Sequence, residues 1–307
     1  MDVPAPGPGQ LLVTAHAAGV HFIDTYRRAG IYPMTFPHIV GSEGAGVVSA
    51  VGEGVPRTLQ GRRVAWTDAP GSYAEQVLVQ ADRALPVPDG VSDDLAAAAP
   101  LQGLTAHYLA TSTYPIQAGE WALVHAAAGG VGLLLTQLIR SRGGHVVATV
   151  STQEKAELAR AAGAEVVIRY DQLESLPHDL PPLVREASSG GVHVVYDGVG
   201  RATFDASLAS LRPRGVLALF GGSSGQVPAF DLQRLNTGGS LYVTRPSLGA
   251  YVATRDELIA RSDDLFARVL DGSLDVRIGA RFPLSDAAAA HRALESRATT
   301  GKVILEV

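Results

Sequence analysis

The sequence predicts an α/β protein of two domains, a doubly wound parallel sheet and a β-rich domain whose segments lie on either side of it. Three observations carry this. From about 120 to 245, short and nearly continuous apolar runs alternate with helix-forming stretches, the pattern of a parallel sheet covered on both faces. Residues 1 to 100 are turn-rich, with short apolar pieces punctuated by glycine and proline. Between them, Ala122-Leu123-Val124-His125-Ala126-Ala127-Ala128-Gly129-Gly130-Val131-Gly132-Leu133 passes from strand through a cluster of small residues into an apolar helix. The 307 residues suit about two domains. The expected division is 1–100 with 247–307 for the β-rich domain and 101–246 for the parallel sheet.

Composition narrows the class. Hydrophobic residues make up 46% and charged residues 18%, which excludes wholesale disorder. A net charge of −5 gives no general attraction to nucleic acid or anionic membranes. There is no cysteine, so disulfides and thiolate metal sites are excluded. No apolar run is long enough to span a bilayer, and Met1 to Gly7 lacks the charged-then-apolar pattern of a signal peptide. A soluble cytoplasmic protein is expected.

In chain order, Leu11–Ala15, Gly46–Val51, Arg63–Trp66 and Ala74–Val79 read as strands, and Ile23–Arg28 as a short helix. Asp94–Ala99 favours a helix, which Pro100 and Gly103 interrupt before 104–110, suggesting a hinge. The alternating region then gives strand 121–125, helix 131–141, strand 145–150, helix 152–162 and strand 165–168. A polar, proline-bearing stretch leads to a helix near 183–188. Strand 192–197, helix 202–209, strand 215–220 and strand 240–244 follow. The tail gives a helix near 254–271, a strand at 276–282, a helix at 285–296 and a last strand at 302–307.

In a sheet of this kind ligands sit at the carboxyl ends of the strands. Gly129 and Gly132 match the last two glycines of the dinucleotide fingerprint G-x-G-x-x-G, while Ala127 takes the place of the first. A tight strand–helix corner without a ligand would look the same. Some twenty residues past the glycine turn, a site for NAD offers Asp or Glu to the ribose. Here that region holds Ser151, Thr152 and Lys155 and no acid. A hydroxyl donates to a 2′-phosphate and a lysine supplies charge, which favours NADPH. Ser151 and Glu154 also match a capping box that would leave Lys155 as a solvated helix residue, and the two readings are compatible. Tyr170, just after the third strand of the region, suits either the adenosine end of a dinucleotide or half-buried packing.

Six blocks together resemble one family: His21-Phe22-Ile23-Asp24-Thr25-Tyr26-Arg27-Arg28, Gly41-Ser42-Glu43-Gly44-Ala45-Gly46, Leu101-Gln102-Gly103-Leu104-Thr105-Ala106, the glycine turn, Val194-Val195-Tyr196-Asp197-Gly198-Val199-Gly200 and Thr244-Arg245-Pro246. They resemble the zinc-independent quinone oxidoreductases, the zeta-crystallin branch of the medium-chain dehydrogenase/reductase superfamily, over nearly the whole chain. That resemblance implies a GroES-like catalytic domain, a Rossmann domain, NADPH and a homodimer. It implies cofactor contacts at Phe22, Ile23, Asp24, Gly129, Gly130, Val131, Ser151, Thr152, Lys155 and Tyr170. Further contacts are implied at Phe220, Gly221, Gly222, Ser223, Tyr242, Val243 and Arg297. It assigns Tyr32, in Ala29-Gly30-Ile31-Tyr32-Pro33, to polarising the acceptor, with Tyr26 and Thr105 as further hydroxyls of the pocket; each of these also suits ordinary packing.

Two departures stand out. The family opens with a β-hairpin ahead of the point where this chain begins, at Val3-Pro4-Ala5-Pro6. His21 stands where the branch usually has Asn, as a polar wall of the nicotinamide pocket or as a core histidine beside Phe22. Zinc-using relatives have Cys at the position of His21 and His-Glu where this chain has Ser42-Glu43. A catalytic zinc needs three protein ligands and an open position, which these residues do not supply. The expected function is metal-free, NADPH-dependent hydride transfer to quinones or related enones. An alkenal or enoyl-thioester reductase is the nearest alternative. A cofactor-binding structural or RNA-binding protein is another, and the acidic balance argues against a nucleic-acid partner.

Overall fold

The computed structural model describes residues 5–307. The chain forms two compact units, one made of the residues up to Leu104 together with Val252–Val307, the other of Thr105–Tyr251. Strands of the first unit are β1 (Gln10–Val20), β2 (Glu43–Val51), β3 (Arg63–Trp66), β4 (Gln76–Gln80) and β5 (Leu85–Pro86). The second unit holds β6 (Trp121–Val124), β7 (His145–Val150), β8 (Val166–Arg169), β9 (Val192–Asp197), β10 (Leu211–Leu219) and β11 (Tyr242–Thr244). The chain then returns to the first unit with β12 (Ile278–Pro283) and β13 (Lys302–Glu306).

In the first unit the strand order is β12-β13-β1-β2-β3-β5, with β4 also paired to β1. β1 organises it. Its first half pairs with β4 and its second half, Ala17–Val20, with β13, while β2 runs antiparallel along its length. The sequence suggests a strand only to Ala15, because His16 and Gly19 break the apolar run. The far half holds because β2 and β13 satisfy its backbone on both sides. Leu11, Val13, Val48, Val64, Trp66, Val77 and Val79 fill the core at one end, and Ala18, Val20, Val303 and Leu305 that at the other.

Around Pro100 the structure corrects the expectation of a broken hinge. One helix runs Pro100–Tyr108 without interruption. Proline is tolerated at a helix start, where its missing N–H has no intrahelical role. Gly103 makes room for a neighbour: a Cβ there would lie 2.6 Å from Leu265 Cδ1.

The second unit is a six-stranded sheet in the order β11-β10-β9-β6-β7-β8, every pair parallel. The direction of winding reverses between β6 and β9, the switch point where ligands bind in such folds. β7 and β9 coincide with the strands read from the sequence. The helix Leu176–Ala187 is longer than the expected 183–188 and contains Pro181 and Pro182. An interior proline costs about 3 kcal/mol. Burial of Leu180, Pro181 and Val184 against Leu123, Val147 and Val192 offsets that cost. Among the described residues, no helix is long and apolar enough to cross a membrane.

Candidate cofactor and acceptor sites

At the switch point the glycine turn is built by close backbone approach. The His125 N–H donates to Tyr196 O at 3.1 Å and the Ala127 N–H to Thr149 O at 3.2 Å, tying the turn to β9 and β7. Ala126 sits in the left-handed region (φ +50°), and Ala127 is fully buried. The helix Gly130–Ser141 starts at Gly129 with no side-chain cap, so its first amides have no side-chain acceptor. Gly132 is sterically required: a Cβ there would lie 2.5 Å from Ala126 O and 2.7 Å from Ala127 Cα. The result is a side-chain-free cradle at the positive end of a helix, over Gly129, Gly130 and Val131, of the kind that receives a pyrophosphate.

The end of β7 differs in one detail from the sequence reading. Thr152, not Ser151, caps the helix Gln153–Ala161, its Oγ1 accepting the Lys155 N–H at 3.2 Å. The box is shifted by one residue because Ser151 leaves β7 half-buried and engages the side chain instead: Lys155 Nζ donates to Ser151 Oγ at 3.3 Å. The three residues are thus brought together beside a cationic head. Tyr170 opens a single 3₁₀ turn directly after β8 and is half-buried.

The loops after β9 and β10 knit to each other. Phe220 N–H and Gly221 N–H both donate to Asp197 O, and Ser223 N–H to Gly198 O. A Cβ on Gly221 would fall 2.3 Å from Gly198 O. Gly222 and Ser223 follow in the same loop. On β11, Tyr242 is 62% exposed and Val243 half-buried. Thr105 lies half-buried on the helix Pro100–Tyr108.

In the first unit the helix Phe22–Arg28 presents an aromatic row. Phe22 and Tyr26 have ring centroids 6.2 Å apart, and Tyr32 meets Tyr26 edge-on at 5.7 Å. The Ile31 and Tyr32 N–H groups close onto Tyr26 O, which folds the loop back over the helix. Ile23 is half-buried on the same helix. Asp24 is fully buried, and its carboxylate accepts from His21 N–H at 2.9 Å, Ser42 Oγ–H at 2.8 Å and Tyr73 O–H at 3.2 Å. Its side chain is thus committed to protein donors. Burial, with the Asp24 charge adding to it, pushes the Tyr73 hydroxyl far above the usual phenol range. Arg297 is exposed and ends the helix Ala287–Glu295 in a left-handed conformation (φ +60°), its N–H donating to Leu294 O.

His21 belongs to a cluster that reading the sequence did not find. Its Nε2 lies 2.6 Å from Glu43 Oε2, and Lys302 Nζ donates to the same oxygen at 2.6 Å while also meeting His21 Nε2. Leu101 N–H donates to Glu43 Oε1 at 2.5 Å. Glu43 is fully buried and Lys302 2% exposed, whereas the His21 side chain keeps 14% of its surface. Burial pushes the Glu43 carboxyl up, but the Lys302 and His21 charges and hydrogen bonds outweigh it and lower it to about 2. For Lys302 burial wins over the Glu43 field and the ammonium is held below its usual range. The cost of burial is thus borne by the ammonium and the gain goes to the carboxylate, which depends on Lys302 for its charge. That ammonium occupies the position a cation would take between His21 and Glu43. Among the described residues no group of three or more His, Cys, Asp or Glu could hold a metal ion. Lys302 was invisible in the sequence because its partner is 259 positions away; the signal was a lone lysine opening an apolar strand.

Comparison with known proteins agrees with this geometry. Residues 7–89 match the family model described as alcohol dehydrogenase GroES-like domain, and residues 130–261 that described as zinc-binding dehydrogenase. A quinone oxidoreductase of Pseudomonas aeruginosa is 44% identical, covering 98% of this chain and 92% of the relative. A 2-haloacrylate reductase of a Burkholderia species is 41% identical, covering 99% and 93%. The crystal structure of a mycobacterial protein, Rv1454c, complexed with NADPH superposes with a TM-score of 0.96 at 49% identity, covering all of this chain and 94% of that one. The chain belongs to the zeta-crystallin-type quinone oxidoreductases of the medium-chain dehydrogenase/reductase superfamily.

Proposed function

We propose that this protein is a metal-free, NADPH-dependent reductase of quinones and related enones. The observation that carries the reading is the glycine turn at a parallel switch point, followed at the next strand end by Ser151, Thr152 and Lys155 in place of a ribose-binding acid. NADPH supplies the hydride when bound. In the second unit, the amides of Gly129, Gly130 and Val131 receive the pyrophosphate, and Ser151, Thr152 and Lys155 hold the 2′-phosphate. Tyr170 packs at the adenosine end. Phe220, Gly221, Gly222, Ser223, Tyr242 and Val243 serve the nicotinamide end. In the first unit, Phe22, Ile23, Asp24 and Arg297 retain the cofactor roles the family implies. Tyr32 donates to the acceptor oxygen as charge develops there, supported by Tyr26, with His21 a polar wall; Thr105, in the second unit, adds a further hydroxyl.

Lys155→Glu tests the cofactor assignment. NADPH binding is expected to weaken by about 1.5–3 kcal/mol, the scale of a charge-assisted hydrogen bond, with much less change for NADH. Direct titration of both dinucleotides reads this out, and an equal loss for the two would overturn the assignment.

We also propose a homodimer that continues the second unit's sheet through β11. That strand is an edge, and it leaves Tyr242 62% exposed with Leu232 70% exposed near it in sequence. An unprotected edge of this kind favours pairing across a two-fold axis. Light scattering at micromolar concentration is expected to give twice the chain mass; a monomer would overturn the proposal.

A further inference from the structure

Four buried polar side chains beneath the glycine turn have no part in the chemistry above. His125, Thr149, Asp197 and Ser207 are each 2% exposed or less. His125 Nδ1 lies 2.8 Å from Thr149 Oγ1 and its Nε2 3.0 Å from Ser207 Oγ. Ser207 Oγ lies 2.8 Å from Asp197 Oδ2, which also accepts from Thr203 Oγ1 at 2.7 Å. Asp197 Oδ1 accepts the N–H groups of Val199 at 2.8 Å and Gly200 at 3.0 Å.

Proton counting fixes the direction of every bond. Asp197 is surrounded by donors and accepts at both oxygens. Ser207 has one hydrogen, and it goes to Asp197. Ser207 Oγ must then accept from His125, so the imidazole carries its proton on Nε2. Burial pushes His125 down from its usual range, against the opposing Asp197 charge, which favours the neutral ring. A neutral ring protonated at Nε2 has a lone pair on Nδ1, and Thr149 O–H donates to it. The chain runs one way, from Thr149 through His125 and Ser207 to Asp197.

It joins the carboxyl ends of β7, β6 and β9, the three strands around the switch point, and the helix Phe204–Ser210. Its central member immediately precedes Ala126, the left-handed residue that starts the turn. We propose that His125 and Ser207 are positioning residues for the pyrophosphate cradle, with the carboxylate of Asp197 setting the histidine tautomer at a distance of two hydrogen bonds. This rests on the dinucleotide reading of the turn.

The test combines nitrogen NMR of the imidazoles with equilibrium titration of NADPH and NADH. In the unmodified protein His125 is expected as the neutral Nε2–H tautomer. Ser207→Ala removes the acceptor of that proton and is expected to raise both dissociation constants by about tenfold, as loss of one buried hydrogen bond would. His125→Gln can still donate to Ser207 and is expected to retain tighter binding than His125→Asn, which reaches only toward Thr149. A purely structural role would lower the melting temperature and leave the dissociation constants of the folded variants unchanged. An Nδ1–H tautomer, or unchanged constants for Ser207→Ala, would overturn the proposal; if the variants do not fold, the tautomer of the unmodified protein decides it. Failure of the unmodified protein to bind either dinucleotide would instead overturn the cofactor reading on which it rests.

Discussion

Lys302→Met is expected to destabilise the first unit by about 3–5 kcal/mol, the cost of removing one partner of a buried ion pair. The methionine fills the same space, so the loss is electrostatic: Glu43, fully buried, keeps Leu101 N–H and His21 but loses the ammonium at 2.6 Å. The acid range gives a signature with a definite sign. In the parent, Glu43 is lowered from 4.5 to about 2. A depressed carboxyl contributes stability that is complete above its unfolded value and is lost as pH falls through its folded value. The parent therefore loses this contribution between about pH 4.5 and 2. Without Lys302, burial dominates and raises the carboxyl, so the variant is penalised as pH rises instead. The gap between the two proteins is expected to narrow on acidification, as read by denaturant titration over that range. Adding Glu43→Gln to Lys302→Met is expected to recover much of the loss, because the uncompensated charge is gone. A single variant as stable as the parent would show that the ammonium is not the counter-charge of Glu43.

Tyr32→Phe is expected to lower kcat for quinone reduction by about 10–10³, the range for one donor to a developing oxyanion. Quinones are intrinsically reactive acceptors, which places the loss toward the lower end. The fold is expected to be untouched. Tyr32 is only half-buried, and its ring contact with Tyr26 survives the change. Steady-state rates at saturating cofactor, with a melting curve of the same variant, separate the two effects. A kcat within twofold of the parent would remove Tyr32 from the reaction.

Local patterns in the sequence translated into structure where a single strand or turn carried its own information. β7 and β9 are apolar runs bounded by turns, and their limits follow from that alone. The glycine turn was legible because Gly132 is demanded by backbone atoms within six residues of it. Long-range support was not legible. β1 extends past His16 because β13, from the far end of the chain, completes its pairing. Pro181 and Pro182 stay helical because strands elsewhere in the unit bury their neighbours. Gly103, which looks like a break, is set by Leu265. The same holds for chemistry. Ser151, Thr152 and Lys155 are close in sequence and stand out together. His21 stands out as a departure from the family pattern, but Lys302 came only with the fold, and so did the bonds joining His125 to Ser207, 82 positions apart.

The most direct measurement is NADPH oxidation by the purified protein across a small panel of quinones, enones and simple alcohols, before and after exhaustive chelation. Turnover with quinones or enones, strongest with NADPH and unchanged by the chelator, is the expected result. Activity that vanishes on chelation and returns with zinc, or efficient oxidation of simple alcohols, would contradict it and assign His21 and Glu43 to a metal.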